Sequence, residues 1–239
     1  MTSKTKSHDI ESIVDDFRYG TNVATAHLSI RLGFLRKVFG ILSTQLLVTT
    51  VVSAIFMYTD GVKAYVQKSQ GMLVTAYVSS IFLLLALFVK RRDSPINMIL
   101  LGLFTFVEAY SVGTIVTFYN KAVVLQAFTL TMVVTLSLTA YTMQSKKDFS
   151  SWGAGLYSAL LILILSGLLH IFLPHSDAVE FLLAVFGAIL FCAFIVFDVH
   201  MMMHKLSPEE YILASINLYL DILNLFLHIL RILGEAQKK

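Results

Sequence analysis

An all-α membrane protein, a seven-transmembrane-helix bundle of six clear spans and a polar-striped seventh, is what three features of the sequence predict. The 239 residues are 57% hydrophobic and only 14% charged, where a soluble domain carries about a quarter charged residues. Apolar residues gather in runs of about 20, the helical length that crosses a hydrocarbon core. The connections between runs are short, so the helices must pack as one bundle with no second domain and no repeat. The expected divisions are a polar N-terminal cytosolic arm over 1–33, the transmembrane bundle over 34–233 and a short charged tail over 234–239.

In chain order, the arm (Lys4, Lys6, Asp9, Glu11, Asp15, Asp16, Arg18) is mixed in charge and lacks the apolar core of a signal peptide. The spans then run from Phe34 to Tyr58, Met72 to Val89, Ile96 to Tyr119, Ala122 to Met143, Ala154 to Leu173, Val179 to Met203 and Tyr211 to Leu233. Ser94-Pro95 and Ser207-Pro208-Glu209-Glu210 read as helix starts, with serine as cap, proline as first helical residue and Glu210 closing a capping box. Pro174 ends the fifth span, and Asp177 with Glu180 reads as the cap of the sixth. If the N-terminus is cytosolic, Arg31, Arg36, Lys37, Lys90, Arg91, Arg92, Lys146, Lys147 and Lys205 collect on that side, against Lys63, Lys68 and Lys121 in the first three opposite loops; the positive-inside rule favours that orientation. Arg231, Lys238 and Lys239 then fall on the far side after seven full crossings, which leaves a re-entrant seventh segment open. The net charge of +3 is a topology signal, and no nucleic-acid partner is expected.

The chemistry concentrates in the last two spans. Asn217, Asp221, Asn224 and His228 recur at steps of four, three and four, so they form one polar seam on an apolar helix. A carboxylate facing lipid costs on the order of 3 kcal/mol or more, so Asp221 must face protein or water. Its expected partner is Asp198, the other acid deep in a neighbouring run. Their depths differ by roughly 8 Å, within reach of helix tilt and side-chain length. Two carboxyls in one dry site share a hydrogen ion and titrate as a unit, which makes them a pH sensor and gate. The plainer reading is a static acid satisfied by Asn217, Asn224 or a basic side chain. Lys90-Arg91-Arg92 reads first as a topology anchor, although such side chains are long enough to reach back as countercharge. Glu108, at the middle of the third span, either lines a cation pathway or is protonated and bonded to a neighbouring helix. Glu180 fits a cap better than a pore mouth.

His200 and His204 have metal-ligand spacing but no third ligand nearby, so interfacial histidines are the better account. The lone Cys192 provides neither a disulfide framework nor a Cys-based zinc site, and no nucleotide or nucleophile motif implies a cofactor. Phe197-Asp198 loosely matches the first motif of presenilin-type proteases. Their second motif needs glycines, and residues 218–221 read Leu-Tyr-Leu-Asp, which leaves no room for a substrate backbone; the chain is not expected to be an enzyme.

Several strings resemble the transmembrane Bax inhibitor motif family over essentially the whole chain: Arg36-Lys37-Val38 with Gln45-Leu46, Phe197-Asp198, and Leu218-Tyr219-Leu220-Asp221 with Asn224-Leu225-Phe226. His204-Lys205-Leu206-Ser207-Pro208-Glu209-Glu210-Tyr211 and Gln144-Ser145-Lys146-Lys147-Asp148-Phe149 are similar to its Golgi anti-apoptotic, or Lifeguard, branch. The resemblance implies a pH-sensitive Ca²⁺ leak of Golgi and endoplasmic reticulum membranes that suppresses apoptosis, with Ca²⁺ as a transient permeant ion, no tightly bound metal and Asp198 and Asp221 as the di-aspartyl sensor. It also implies a helix-two arginine paired with Asp198 in the closed state. Lys90 stands at that position, with Arg91 and Arg92 as substitutes, and lysine lacks the planar fork that such pairing uses. Membrane lipid, a second copy of the chain and apoptosis regulators are the expected partners. The alternative is a non-conducting scaffold that modulates other channels or death regulators.

Overall fold

In hydrocarbon a peptide group finds no water, so each apolar run resolves into a helix that satisfies its own backbone. The computed structural model describes residues 23–24, 28–172 and 176–237; most of the N-terminal arm, Pro174, Lys238 and Lys239 lie outside the described residues. Among the described residues eight α-helices follow one another: α1 (Leu28–Tyr58), α2 (Asp60–Lys68), α3 (Gln70–Lys90), α4 (Ile96–Val116), α5 (Lys121–Gln144), α6 (Gly153–Phe172), α7 (Asp177–His204) and α8 (Tyr211–Ala236). A short 3₁₀ turn, Ser150–Trp152, leads into α6. All except α2 are long and apolar enough to span a bilayer, and the protein is a seven-helix membrane bundle.

The seventh span, far from being a re-entrant loop, is an unbroken helix of 26 residues and the axis of the fold. It is the least apolar of the seven spans and the most buried, at 61% against 6% for the span that includes α6. The polar seam explains the inversion: a helix that cannot show all its sides to lipid goes to the centre, where protein covers it. α7 packs most extensively against α8, and α5, α1 and α4 also contact it; α3 leans on α4, and α6 on the outside of α7. Tyr219, Ile212, Leu225 and Leu230 of α8 are fully buried, as are Phe104 of α4, Val38 of α1 and Ile195 of α7. The rings of Phe104 and Tyr219 meet edge-on at 6.2 Å.

Successive helix ends alternate between two sides, as seven crossings require. Lys37 Nζ lies 3.3 Å over the Tyr211 ring at one end, and Lys121 Nζ lies 4.2 Å over the Tyr58 ring at the other. The loop after α1 is not a bare connection, because α2 fills it: Val66 is buried, and Gln67 Nε2 donates to the Thr117 carbonyl at 2.9 Å.

The expected caps form differently. α4 begins at Ile96 with Pro95 as its cap position and no side-chain capping bond. The Asn97 amide instead donates to the Asp93 carbonyl at 2.9 Å, and Asn97 Nδ2 to the Arg91 carbonyl at 3.0 Å, so backbone acceptors replace the Ser94 hydroxyl. α8 begins at Tyr211, and Glu210 turns away from its helix toward Arg91 and Arg92. Two guanidiniums outcompete a neutral amide for one carboxylate. Asp177 is the first residue of α7 rather than its cap: Ser176 holds the cap position, and its carbonyl accepts from the Glu180 amide at 3.1 Å.

Candidate functional site

α7 and α8 run antiparallel, and their register sets the site. Asp198 faces Asp221; seven residues along on each helix, Phe191 stacks on His228 with ring centroids 5.6 Å apart. Asp198 and Asp221 are 9% and 5% exposed, with their carboxyls within hydrogen-bonding reach of each other. Asn217 Nδ2 donates to Asp198 Oδ1 at 3.5 Å, one turn from Asp221 on the same seam, while Asp221 Oδ2 has no partner. Carboxylates only accept hydrogen bonds, so contact between two of them requires a shared proton. Tyr157 of α6 closes the outside, its ring edge-on to Phe194 at 5.6 Å and to Phe197 at 6.4 Å.

Further along the seam Asn224 is satisfied within its own helix, whereas His228 Nδ1 is buried without a hydrogen-bond partner among the described residues. Asn224 Nδ2 donates to the Leu220 carbonyl of its own helix at 2.8 Å. His228 lies over Gly187, where the missing Cβ leaves room for the imidazole. Polar groups on the other side of α8 point away from the acids: Tyr219 Oη and Thr49 Oγ1 of α1 are 2.7 Å apart, and Gln45 Nε2 donates to Thr105 Oγ1 of α4 at 3.1 Å.

A family model described as "Inhibitor of apoptosis-promoting Bax1" matches residues 31–238. The chain belongs to this Bax-inhibitor family. It is 52% identical over 228 residues to the Golgi anti-apoptotic protein of Vaccinia virus (strain Lister), covering 95% of this chain and 96% of that one. Protein lifeguard 4 of Mus musculus is 50% identical over 228 residues, with 95% of each chain covered. Bax inhibitor 1 of Schizosaccharomyces pombe is 42% identical over 224 residues, covering 94% of this chain and 84% of that one.

In this Bax-inhibitor chain the basic triplet, read first as a topology anchor and second as countercharge, is engaged at the helix ends. Lys90 Nζ pairs with Asp93 Oδ2 at 2.8 Å, and Glu210 Oε1 takes Arg92 at 2.9 Å and Arg91 at 3.4 Å. Among the described residues no basic side chain bonds Asp198 or Asp221; the neutral Asn217 does. Closer acids, Asp93 in the loop after α3 and Glu210 just before α8, capture cations that would otherwise have to leave the aqueous edge. Glu108 accepts a hydrogen bond from Ser80 Oγ of α3, so it sits between α3 and α4 rather than on the seam. Glu180 lies 18 residues from Asp198, roughly 27 Å along α7. The structure therefore gathers Asp198, Asp221 and Asn217 and leaves both proposed pathway acids apart from them.

One pair escaped the sequence reading. His200 Nε2 meets Asp148 Oδ1 at 2.9 Å, joining α7 to the loop before α6. The Ser150 hydroxyl and its amide, the latter at 2.8 Å, hold the Asp148 carboxyl down at about 2, below the usual carboxylate range. Asp148 is therefore ionised, and Nε2 is the donor. The His200 and His204 rings stack at 4.4 Å, with His204 Nδ1 3.1 Å from the His200 carbonyl, so their nitrogens do not converge on a metal position. That both residues border the same side was legible; their contact was not.

Proposed function

We propose that this Bax-inhibitor chain is a pH-sensitive cation leak, chiefly for Ca²⁺, of Golgi or endoplasmic reticulum membranes, and that draining the store suppresses apoptosis. The observation that carries the reading is the buried Asp198–Asp221 pair between the central helix and its most extensive neighbour. With one shared proton the pair joins α7 to α8. Loss of that proton puts two like charges in a dry site, where they repel or recruit a cation. Asn217 donates to Asp198 in either state. The names of the relatives support the cellular side, since they include a Golgi anti-apoptotic protein and a Bax inhibitor. The basic residues at one end support a cytosolic N-terminus. No catalytic step is assigned to the aspartates.

One observation favours a non-conducting scaffold that acts on other channels, on apoptosis regulators or as a homo-oligomer: Glu108 is bonded to Ser80 of α3 and not to the acid pair. Ca²⁺ flux from proteoliposomes holding the purified chain alone, at several pH values, separates the two. A leak that rises with loss of the shared proton and changes its pH profile in Asp198→Asn and Asp221→Asn supports the gate. Flux with an unaltered profile in both variants removes the gate, and no flux at all supports the scaffold.

A further inference from the structure

α1 and α5 both lean on α8 but are not packed against each other to any comparable extent, so the bundle is open on one side. The opening is a cleft of about 600 Å³ with Val116, Ile222 and Phe226 at its floor and Leu46, Ala54 and Phe128 among its walls. That volume lies in the roughly 300–1,000 Å³ range of ligand pockets. It follows α1 from Ser43 to Tyr58, about 22 Å at 1.5 Å per residue, the dimension of an extended acyl chain rather than a compact solute.

Two features distinguish it from plain lipid-facing surface. Lys121 stands at the Tyr58 end, its ammonium over that ring, with no carboxylate partner among the described residues. Ser53 Oγ and Thr135 Oγ1, both on lining residues, are buried without hydrogen-bond partners. Ser53 lies about 7 Å further in than Tyr58, the order in which an ester carbonyl follows a headgroup phosphate.

We propose that this cleft is a binding site for one anionic glycerophospholipid drawn from the surrounding bilayer, with its phosphate on Lys121, an ester oxygen at Ser53 and an acyl chain along α1 and α5. The charge at the mouth selects the headgroup, and the apolar walls accept the chain. The site bears on the central helix from behind the acid pair: Ile222 of the floor adjoins Asp221, and Thr49 of the wall holds the Tyr219 hydroxyl. An occupied cleft thereby braces α8 against α1 and α5.

The test uses the full chain with Leu125→Trp on a Trp152→Phe background, so that its one tryptophan lines the cleft. The protein is reconstituted in phosphatidylcholine vesicles containing a minor fraction of chain-brominated phosphatidylglycerol or, in parallel, chain-brominated phosphatidylcholine. One lysine contact corresponds to about fivefold preference for the anionic lipid, read as the lower mole fraction that half-quenches the tryptophan. Lys121→Gln should erase that preference while leaving phosphatidylcholine quenching in place. Ala54→Phe, at a wall position that already faces lipid and so tolerates bulk, should reduce quenching by both lipids. Equal quenching by the two lipids before Lys121 is changed, or an undiminished preference in Lys121→Gln, overturns the proposal.

Discussion

Gly187 offers a direct measurement of the register that brings Asp198 to Asp221. A Cβ added there overlaps the His228 imidazole, whose Nδ1 would stand at 2.6 Å, and the ring is backed by Phe191. Overpacking of this kind costs about 1–3 kcal/mol, while glycine to alanine in a helix interior returns about 1 kcal/mol of propensity. Gly187→Ala should therefore lower stability by about 1 kcal/mol net. His228→Ala alone removes a stacked ring at about 2–3 kcal/mol, within the range of large-to-small changes. In the double variant the new methyl occupies part of the vacated space, so the two changes should couple by about 2 kcal/mol. Denaturant unfolding in mild detergent, read by helix ellipticity, supplies all four corners of the cycle. Additivity within about 0.5 kcal/mol would refute the register, because a shift of one turn between α7 and α8 moves Gly187 from under the ring and Asp198 from its partner.

Glu210→Gln should destabilise by about 1–3 kcal/mol, since it removes the carboxylate shared by Arg91 and Arg92, whereas Arg92→Ala, at a side chain 57% exposed, should cost below about 1 kcal/mol; thermal unfolding at low and high salt separates them. Thr49→Val leaves the Tyr219 hydroxyl buried without its partner and should cost about 1–3 kcal/mol, against about 1 kcal/mol for Tyr219→Phe, after which Thr49 keeps its bond to the Gln45 carbonyl; chemical denaturation ranks the two. Asp148 has its carboxyl lowered from 3.8 to about 2 in the fold, so its contribution is complete above the unfolded value and is lost as pH falls from about 4 toward 2. Asp148→Asn should accordingly flatten the acid limb of the melting temperature below about pH 4.

Composition and periodicity carried the fold a long way because the solvent leaves few choices: in hydrocarbon a run of about 20 apolar residues is a helix or nothing. The same physics made the stripe Asn217, Asp221, Asn224, His228 legible, since an acid at that depth has to be covered. Asp198 was findable as the partner because few acids lie deep in the apolar runs. The seventh span was harder, because its polarity reads as weak insertion when it is the reason that the helix sits at the centre.

What the chain order determines, then, is the set of helices, their alternation and the side of α8 that must not meet lipid. Only the packed structure decides which atom each polar group meets. Glu210 bonds Arg91 and Arg92 across more than a hundred residues instead of capping its own helix; Lys90 takes Asp93; His200 takes Asp148; Glu108 is held by Ser80. Those pairings depend on inter-helix register and on distances of a few ångströms, and hydropathy is indifferent to both. The gap between α1 and α5 has the same origin: it exists because two helices that each fit α8 do not fit one another.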